Sequence, residues 1–258
     1  MSLVRATNQN GLLTVELNRA EAHNALDKEM MAALTKIFSS VKKDTSVRVV
    51  VLKGQGPSFC AGGDLNWMRA SMDYSLAQNV KDTKKLSDMY EAIFTCPVPV
   101  IGYVHGNVMG GGVGLTAVCD IVASELDTKF CLSEVKLGLV PSIISPYVLR
   151  KIPEADARLL MLTAEIFRAP QALRMGLVHF MGTSSDCAKF IEERVELILK
   201  NAPEATRLTK DLIVKVKASS WQKARQLTVQ TIARRRVSKE GQEGMRAFFE
   251  KRKPSWQK

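Results

Sequence analysis

The sequence predicts an α/β fold: a parallel sheet covered on both faces, followed by a long helical region. Three observations carry this. A strand-like run is followed by a helix-period stripe and then by a second run too apolar for a sheet edge; two glycine-rich turns each join an apolar run to a helix; and beyond about residue 153 the helical period dominates.

Taken in order, Leu12–Leu17 reads as a strand, and Asp27 caps a helix whose apolar stripe is Met30, Leu34, Ile37, Phe38 and Val41. Val47–Leu52 is the second strand. After a glycine-rich loop the span from about Ser75 to Phe94 is helical; Pro97 and Pro99 break it, and Val100–Val104 resumes an extended run. Helices are expected around 185–200, 203–217, 220–236 and 239–251, with Pro203 in a first turn, where its missing N–H costs nothing. The chain contains no internal repeat and no low-complexity segment.

Composition narrows the function classes. No apolar run of about 18 residues could span a bilayer, and the N-terminus lacks the apolar core of a secretory signal, so a soluble cytoplasmic protein is expected. The five cysteines form no CxxC pair, which points to a reducing compartment and no metal site. A net charge of +11, with runs at Arg234-Arg235-Arg236 and Lys251-Arg252-Lys253, suits an anionic ligand or nucleic acid. An RNA-binding module is the alternative from a different class. It lacks support from any RRM-type aromatic motif, and the cysteine spacing excludes zinc fingers.

Chemistry is carried by two turns. Ser58-Phe59-Cys60-Ala61-Gly62-Gly63-Asp64-Leu65-Asn66-Trp67-Met68 places small residues before a helix, letting a ligand reach the backbone and free N–H groups. His105-Gly106-Asn107-Val108-Met109-Gly110-Gly111-Gly112-Val113-Gly114-Leu115 places three consecutive glycines at a helix start, a poor helical choice that argues for close approach by another group. Neither GxxxxGK[ST] nor an early GxGxxG with its acidic partner is present, which argues against a nucleotide-binding P-loop or Rossmann site.

With Cys119-Asp120-Ile121-Val122-Ala123 and Phe130-Cys131-Leu132-Ser133-Glu134-Val135-Lys136-Leu137-Gly138-Leu139-Val140-Pro141, these turns resemble the enoyl-CoA hydratase/isomerase family, the crotonases, from Leu12 to the C-terminus. The resemblance implies a crotonase-like spiral of ββα units with a C-terminal helical trimerisation region. Residues 1–195 would form an acyl-CoA-binding catalytic core and 196–258 a helical oligomerisation region, in a homotrimer or dimer of trimers. It implies an acyl-CoA thioester as partner, with no separate cofactor because coenzyme A is part of the substrate, and no membrane or primary nucleic-acid partner.

By motif position, the backbone N–H groups of Gly63 and Gly111 would hold the thioester oxygen, and Glu134 would be the acid/base group. The backbone around Ala22, His23, Ala61, Asp64 and Leu65 would face the ligand, and Phe248 and Lys251 would reach the nucleotide end across a subunit boundary. Gly63 stands where the family commonly has alanine, a change that keeps the N–H. Gly114 stands where many hydratases have a second glutamate, and relatives with one glutamate include double-bond isomerases. Several segments, among them Asn18–Asp27 and Leu139–Val148, look like bacterial methylglutaconyl-CoA hydratases. A branched, carboxylated enoyl-CoA is therefore the expected substrate, with a basic residue near the pocket to receive its distal carboxylate. Isomerisation of a 3-enoyl-CoA is the alternative.

Overall fold

The computed structural model describes residues 2–257. In chain order its elements are β1 (Val4–Gln9), β2 (Leu12–Leu17), α1 (Lys28–Val41), β3 (Val49–Gly54), α2 (Leu65–Ser71), α3 (Leu76–Phe94), β4 (Val100–Val104) and β5 (Asn107–Met109). There follow α4 (Gly111–Val118), β6 (Ile121–Glu125), β7 (Lys129–Cys131), α5 (Ser145–Lys151), α6 (Glu154–Thr163), β8 (Phe167–Arg168), α7 (Ala169–Met175) and β9 (Phe180–Gly182). The chain closes with α8 (Ser184–Lys200), α9 (Pro203–Lys217), α10 (Trp221–Val237) and α11 (Lys239–Phe249).

The main sheet has strand order β1-β2-β3-β4-β6-β9 and is parallel except at its first pair, where β1 and β2 form a hairpin around Asn10-Gly11. A smaller sheet, β5-β7-β8, packs beside it. The alternation of side chains along β3 shows why the central strands are apolar throughout. Val50 and Leu52 face the principal core with Leu34, Phe38, Met89 and Ile93, whereas Val49 and Val51 face α8 through Ile191, Val195 and Ile198. The expected boundary at 195/196 falls inside α8, the helix that covers this second face.

The Asp27 cap is as expected, its Oδ1 accepting the Met30 N–H at 2.8 Å, and the four long C-terminal helices fall where the periodicity predicts them. The strand expected at Val47–Leu52 runs two residues later. The hairpin strand β1 escaped the sequence reading because five of its six residues are exposed, and β5, β7, β8 and β9 are too short for a period to register.

Cationic side chains fasten the tail to the core. Lys210 donates to the Asp120 carboxylate at 2.6 Å and the Val98 carbonyl at 3.0 Å, and Arg207 donates to the Val47 carbonyl at 2.9 Å. Part of the positive charge is thus internal scaffolding. Among the described residues no helix is long and apolar enough to cross a membrane.

Candidate active site

The two glycine-rich turns meet backbone to backbone. Cys60 bridges in parallel to Val108, with the Met109 N–H donating to the Cys60 carbonyl at 3.0 Å. Gly63 bridges in parallel to Leu26, flanked by Leu26 N–H to the Gly62 carbonyl at 2.7 Å and Asp64 N–H to the Leu26 carbonyl at 3.0 Å. The approach is so close that a Cβ on Gly112 would lie 2.3 Å from the Cys60 carbonyl oxygen, which is why glycine occupies the second position of α4. Neither the Gly63 nor the Gly111 N–H has a hydrogen-bond acceptor among the described residues. Gly111 is the first residue of α4, where the helix supplies no partner and the dipole favours negative charge.

Glu134 opens a short 3-10 turn, Glu134–Leu137, closed by Gly138 in the left-handed region. Its side chain neither caps that turn nor joins a salt bridge: Oε2 is buried without a hydrogen-bond partner, and Oε1 lies 3.3 Å from where a Cβ on Gly110 would stand. Burial holds the carboxyl above the usual carboxylate range, so it is poised to exchange a proton nearer neutrality.

These groups line one cavity of about 510 Å³, together with Ala61, Leu65, Trp67, Asp82, Tyr90 and Ile144. The fully buried Tyr90 donates its hydroxyl to the Gly111 carbonyl at 2.8 Å. Trp67 donates its indole N–H to Asp82 at 2.5 Å, and Asp82 also pairs with Lys28 at 3.6 Å. Two unpaired N–H groups from separate turns, with a desolvated carboxyl beside them, form an anion-stabilising site with an adjacent proton carrier.

In comparison with known proteins, the enoyl-CoA hydratase/isomerase family model matches residues 7–258. The chain belongs to that family. Among its relatives, the (E)-benzylidenesuccinyl-CoA hydratase of Thauera aromatica is 31% identical over 252 residues, 96% of each chain. The structure of Pseudomonas aeruginosa AtuE superposes with a TM-score of 0.96 at 33% identity, covering 99% of this chain and all (100%) of that one. An enoyl-CoA hydratase from Shewanella pealeana gives 0.94 at 36% identity, covering 98% and 96%. The spiral α/β core with its helical C-terminal region is the crotonase fold.

Of the residues that the crotonase resemblance singles out, Gly63, Gly111, Glu134, Ala61 and Leu65 line the cavity. Ala22, His23 and Asp64 do not, although His23 and Asp64 support its rim. The His23 carbonyl accepts the Ala61 N–H at 2.9 Å, and Asp64 caps α2 through the Asn66 and Trp67 N–H groups while pairing with Arg19 at 2.8 Å. Burial alone would raise the Asp64 carboxyl, but these donors outweigh it and hold the group below its ordinary range. The structure does not bring Phe248 and Lys251 to the cavity of their own chain. Phe248 is 78% exposed, which excludes ordinary core packing, and Lys251 is exposed with a φ of 52°. Among the described residues no lysine or arginine lines the cavity; Lys28, at its edge, is already paired with the lining carboxylate of Asp82 at 3.6 Å. At Gly114, a Cβ would lie 2.3 Å from Ile144 Cγ2 and 3.0 Å from the Tyr90 ring, so the volume for a second carboxylate is already filled.

Sequence reasoning missed Tyr90, Trp67 and Asp82, whose roles depend on α2 and α3 meeting the turns in space. It also missed Arg19, which ties the caps of two helices through Asp27 at 3.1 Å and Asp64 at 2.8 Å.

Proposed function

We propose that the chain hydrates an α,β-unsaturated acyl-CoA through a thioester enolate, with Glu134 as the sole carboxyl in the proton transfers. The carrying observation is the Glu134 carboxyl, whose Oε2 is buried without a partner among the described residues, lining one cavity with the free N–H groups of Gly63 and Gly111. Glu134 takes a proton as water bonds to C3. The C2=C3 electron pair moves onto the thioester, whose oxygen the two N–H groups hold, and Glu134 returns the proton to C2. Each such donor contributes roughly 3–4 kcal/mol where removal has been measured in other enzymes.

We further propose a branched, carboxylated substrate such as 3-methylglutaconyl-CoA. Its support is the resemblance of several segments to methylglutaconyl-CoA hydratases and the Thauera relative named for a benzylidenesuccinyl thioester. With no lysine or arginine among the described lining residues, the distal carboxylate would take its hydrogen bond from a neutral donor such as the Thr83 hydroxyl on α3, since Ser71 already donates to the Met68 carbonyl and Asn79 to the Ser71 and Tyr74 carbonyls. A panel of acyl-CoA thioesters with mass detection tests both levels. Hydration of 3-methylglutaconyl-CoA with kcat/KM at least about tenfold above crotonyl-CoA, or roughly 1.4 kcal/mol, is expected. Equal or faster hydration of crotonyl-CoA removes the carboxylated substrate; conversion of a 3-enoyl-CoA to its 2-enoyl isomer without hydration makes the chain an isomerase.

The working form in this reading is a homotrimer or dimer of trimers in the cytoplasm, with Lys251 and Phe248 serving a neighbour's coenzyme A. Exposed Trp221, Phe248 and Phe249 on the tail need cover, and five buried cysteines without disulfides suit a reducing compartment. Nucleic-acid binding loses part of its motive, because Arg235 is engaged internally with Glu240 at 2.6 Å and Glu204 at 2.8 Å.

A further inference from the structure

Adding water across a double bond asks for two acceptors: one takes the proton that leaves, and the other holds the second O–H so that the oxygen lone pair faces C3. Glu134 supplies one. No carboxylate stands at 114 to supply the other, and a side chain there would have to displace Ile144 and the Tyr90 ring. One of the two groups that fill this volume, Tyr90, carries a polar atom. Tyr90 lines the cavity from α3, is fully buried, and has its hydroxyl fixed by donation to the Gly111 carbonyl at 2.8 Å. Its oxygen also lies only 2.9 Å from where a Cβ on Gly111 would stand, at the residue whose N–H holds the thioester oxygen. With its only hydrogen engaged, this oxygen has only acceptor lone pairs left, in a side chain that lines the cavity and becomes reachable by a bound water as the tightly packed wall relaxes around the acyl chain. Ionisation offers no competing role, since burial first, and Cys60 and Glu134 next, push the phenol well above its ordinary range.

Resting on the hydratase reading above, we propose that the Tyr90 hydroxyl oxygen is the second acceptor for the attacking water, standing in for the carboxylate that Gly114 lacks. Glu134 removes one proton from the water, Tyr90 accepts a hydrogen bond from the other O–H without taking its proton, and the new C3–O bond forms as the electron pair moves to the thioester oxygen.

Tyr90→Phe keeps the ring that packs on Gly114 and removes only the hydroxyl. Two reactions are compared: hydration of the enoyl-CoA turned over fastest, and deuterium exchange at C2 of its saturated counterpart in D2O, which needs Glu134 and the oxyanion site but no attacking water. The pair is 3-methylglutaconyl-CoA with 3-methylglutaryl-CoA, or crotonyl-CoA with butyryl-CoA. Hydration is expected to fall at least about tenfold more than exchange, at the low end of what a positioned polar group contributes. A parallel fall in both would show that Tyr90 only braces Gly111 and would overturn the proposal, as would an unchanged hydration rate. If Tyr90→Phe folds poorly, 3,5-difluorotyrosine at position 90 keeps the hydroxyl but weakens it as an acceptor, and the same two outcomes apply. Wild-type protein that exchanges but never hydrates would remove the hydratase reading and this inference together, whereas wild-type hydration with parallel losses in the variant removes only the inference.

Discussion

Glu134 is costly where it stands, and that cost makes its role measurable. A Glu134→Gln substitution should leave folding and acyl-CoA binding nearly intact while lowering kcat by about 10²–10⁴, because an amide keeps the shape but exchanges no proton; retention of more than about a tenth of kcat would exclude the role. The raised carboxyl also sets two pH dependences. Glu134 must be ionised to accept the water proton, so the acid limb of kcat/KM should lie above the ordinary glutamate range. Because the fold disfavours the ionised form, wild-type stability should fall relative to Glu134→Gln as pH rises through the folded-state value. The difference should vanish below the unfolded value of about 4.3, and thermal melts of both proteins across this window would check it. The sequence singled out Glu134, Gly63 and Gly111 because each sits within a local motif, and the fold brings the three to one cavity. The sequence could not show that the Glu134 oxygen is left without a partner, which depends on how three segments pack.

At the scale of elements, α4 is pinned so tightly that its glycines leave little room for redesign. Gly114→Ala should destabilise the protein by about 1–3 kcal/mol, since Ile144 and the Tyr90 ring would have to yield. Gly114→Glu should not raise crotonyl-CoA hydration above wild type, and a gain would mean that the pocket can open to admit a second carboxylate. The tail has an equally local dependence. Glu240 accepts the Glu204 N–H at 2.9 Å and the Ala205 N–H at 2.8 Å at the start of α9, and clamps Arg235 on α10. Glu240→Ala should cost about 0.5–2 kcal/mol and speed hydrogen exchange in the first turn of α9; unchanged exchange there would show that the cap is dispensable. This cap was not legible, because α9 borrows its acceptor from a residue 36 positions away.

For the molecule as a whole, the doubly covered parallel sheet was readable from three apolar runs and the helical tail from its periodicity, since both patterns are local. The hairpin strand β1 and the order in which strands join the sheet were not, for these are decided by contacts between distant segments. Assembly is the remaining level. Light scattering at micromolar concentration is expected to show a trimer or hexamer, and a monomer would remove the proposed place of Lys251 at a neighbour's coenzyme A. Lys251→Ala should then raise KM for acyl-CoA severalfold with little change in kcat, because a distant phosphate contact acts on binding rather than on the transition state.

The donors at Gly63 and Gly111 belong to the main chain, held by one parallel bridge that joins the two turns at Cys60 and Val108 and another that ties Gly63 to Leu26. Substitution of a side chain can therefore crowd this anion site but cannot delete its hydrogens. On the reading proposed above, a descendant of this gene could exchange Glu134, Tyr90 or the walls of the cavity, and it would still inherit a scaffold that makes a thioester carbon acidic. Divergence from this starting point should yield new fates for the enolate sooner than it yields a protein unable to form one.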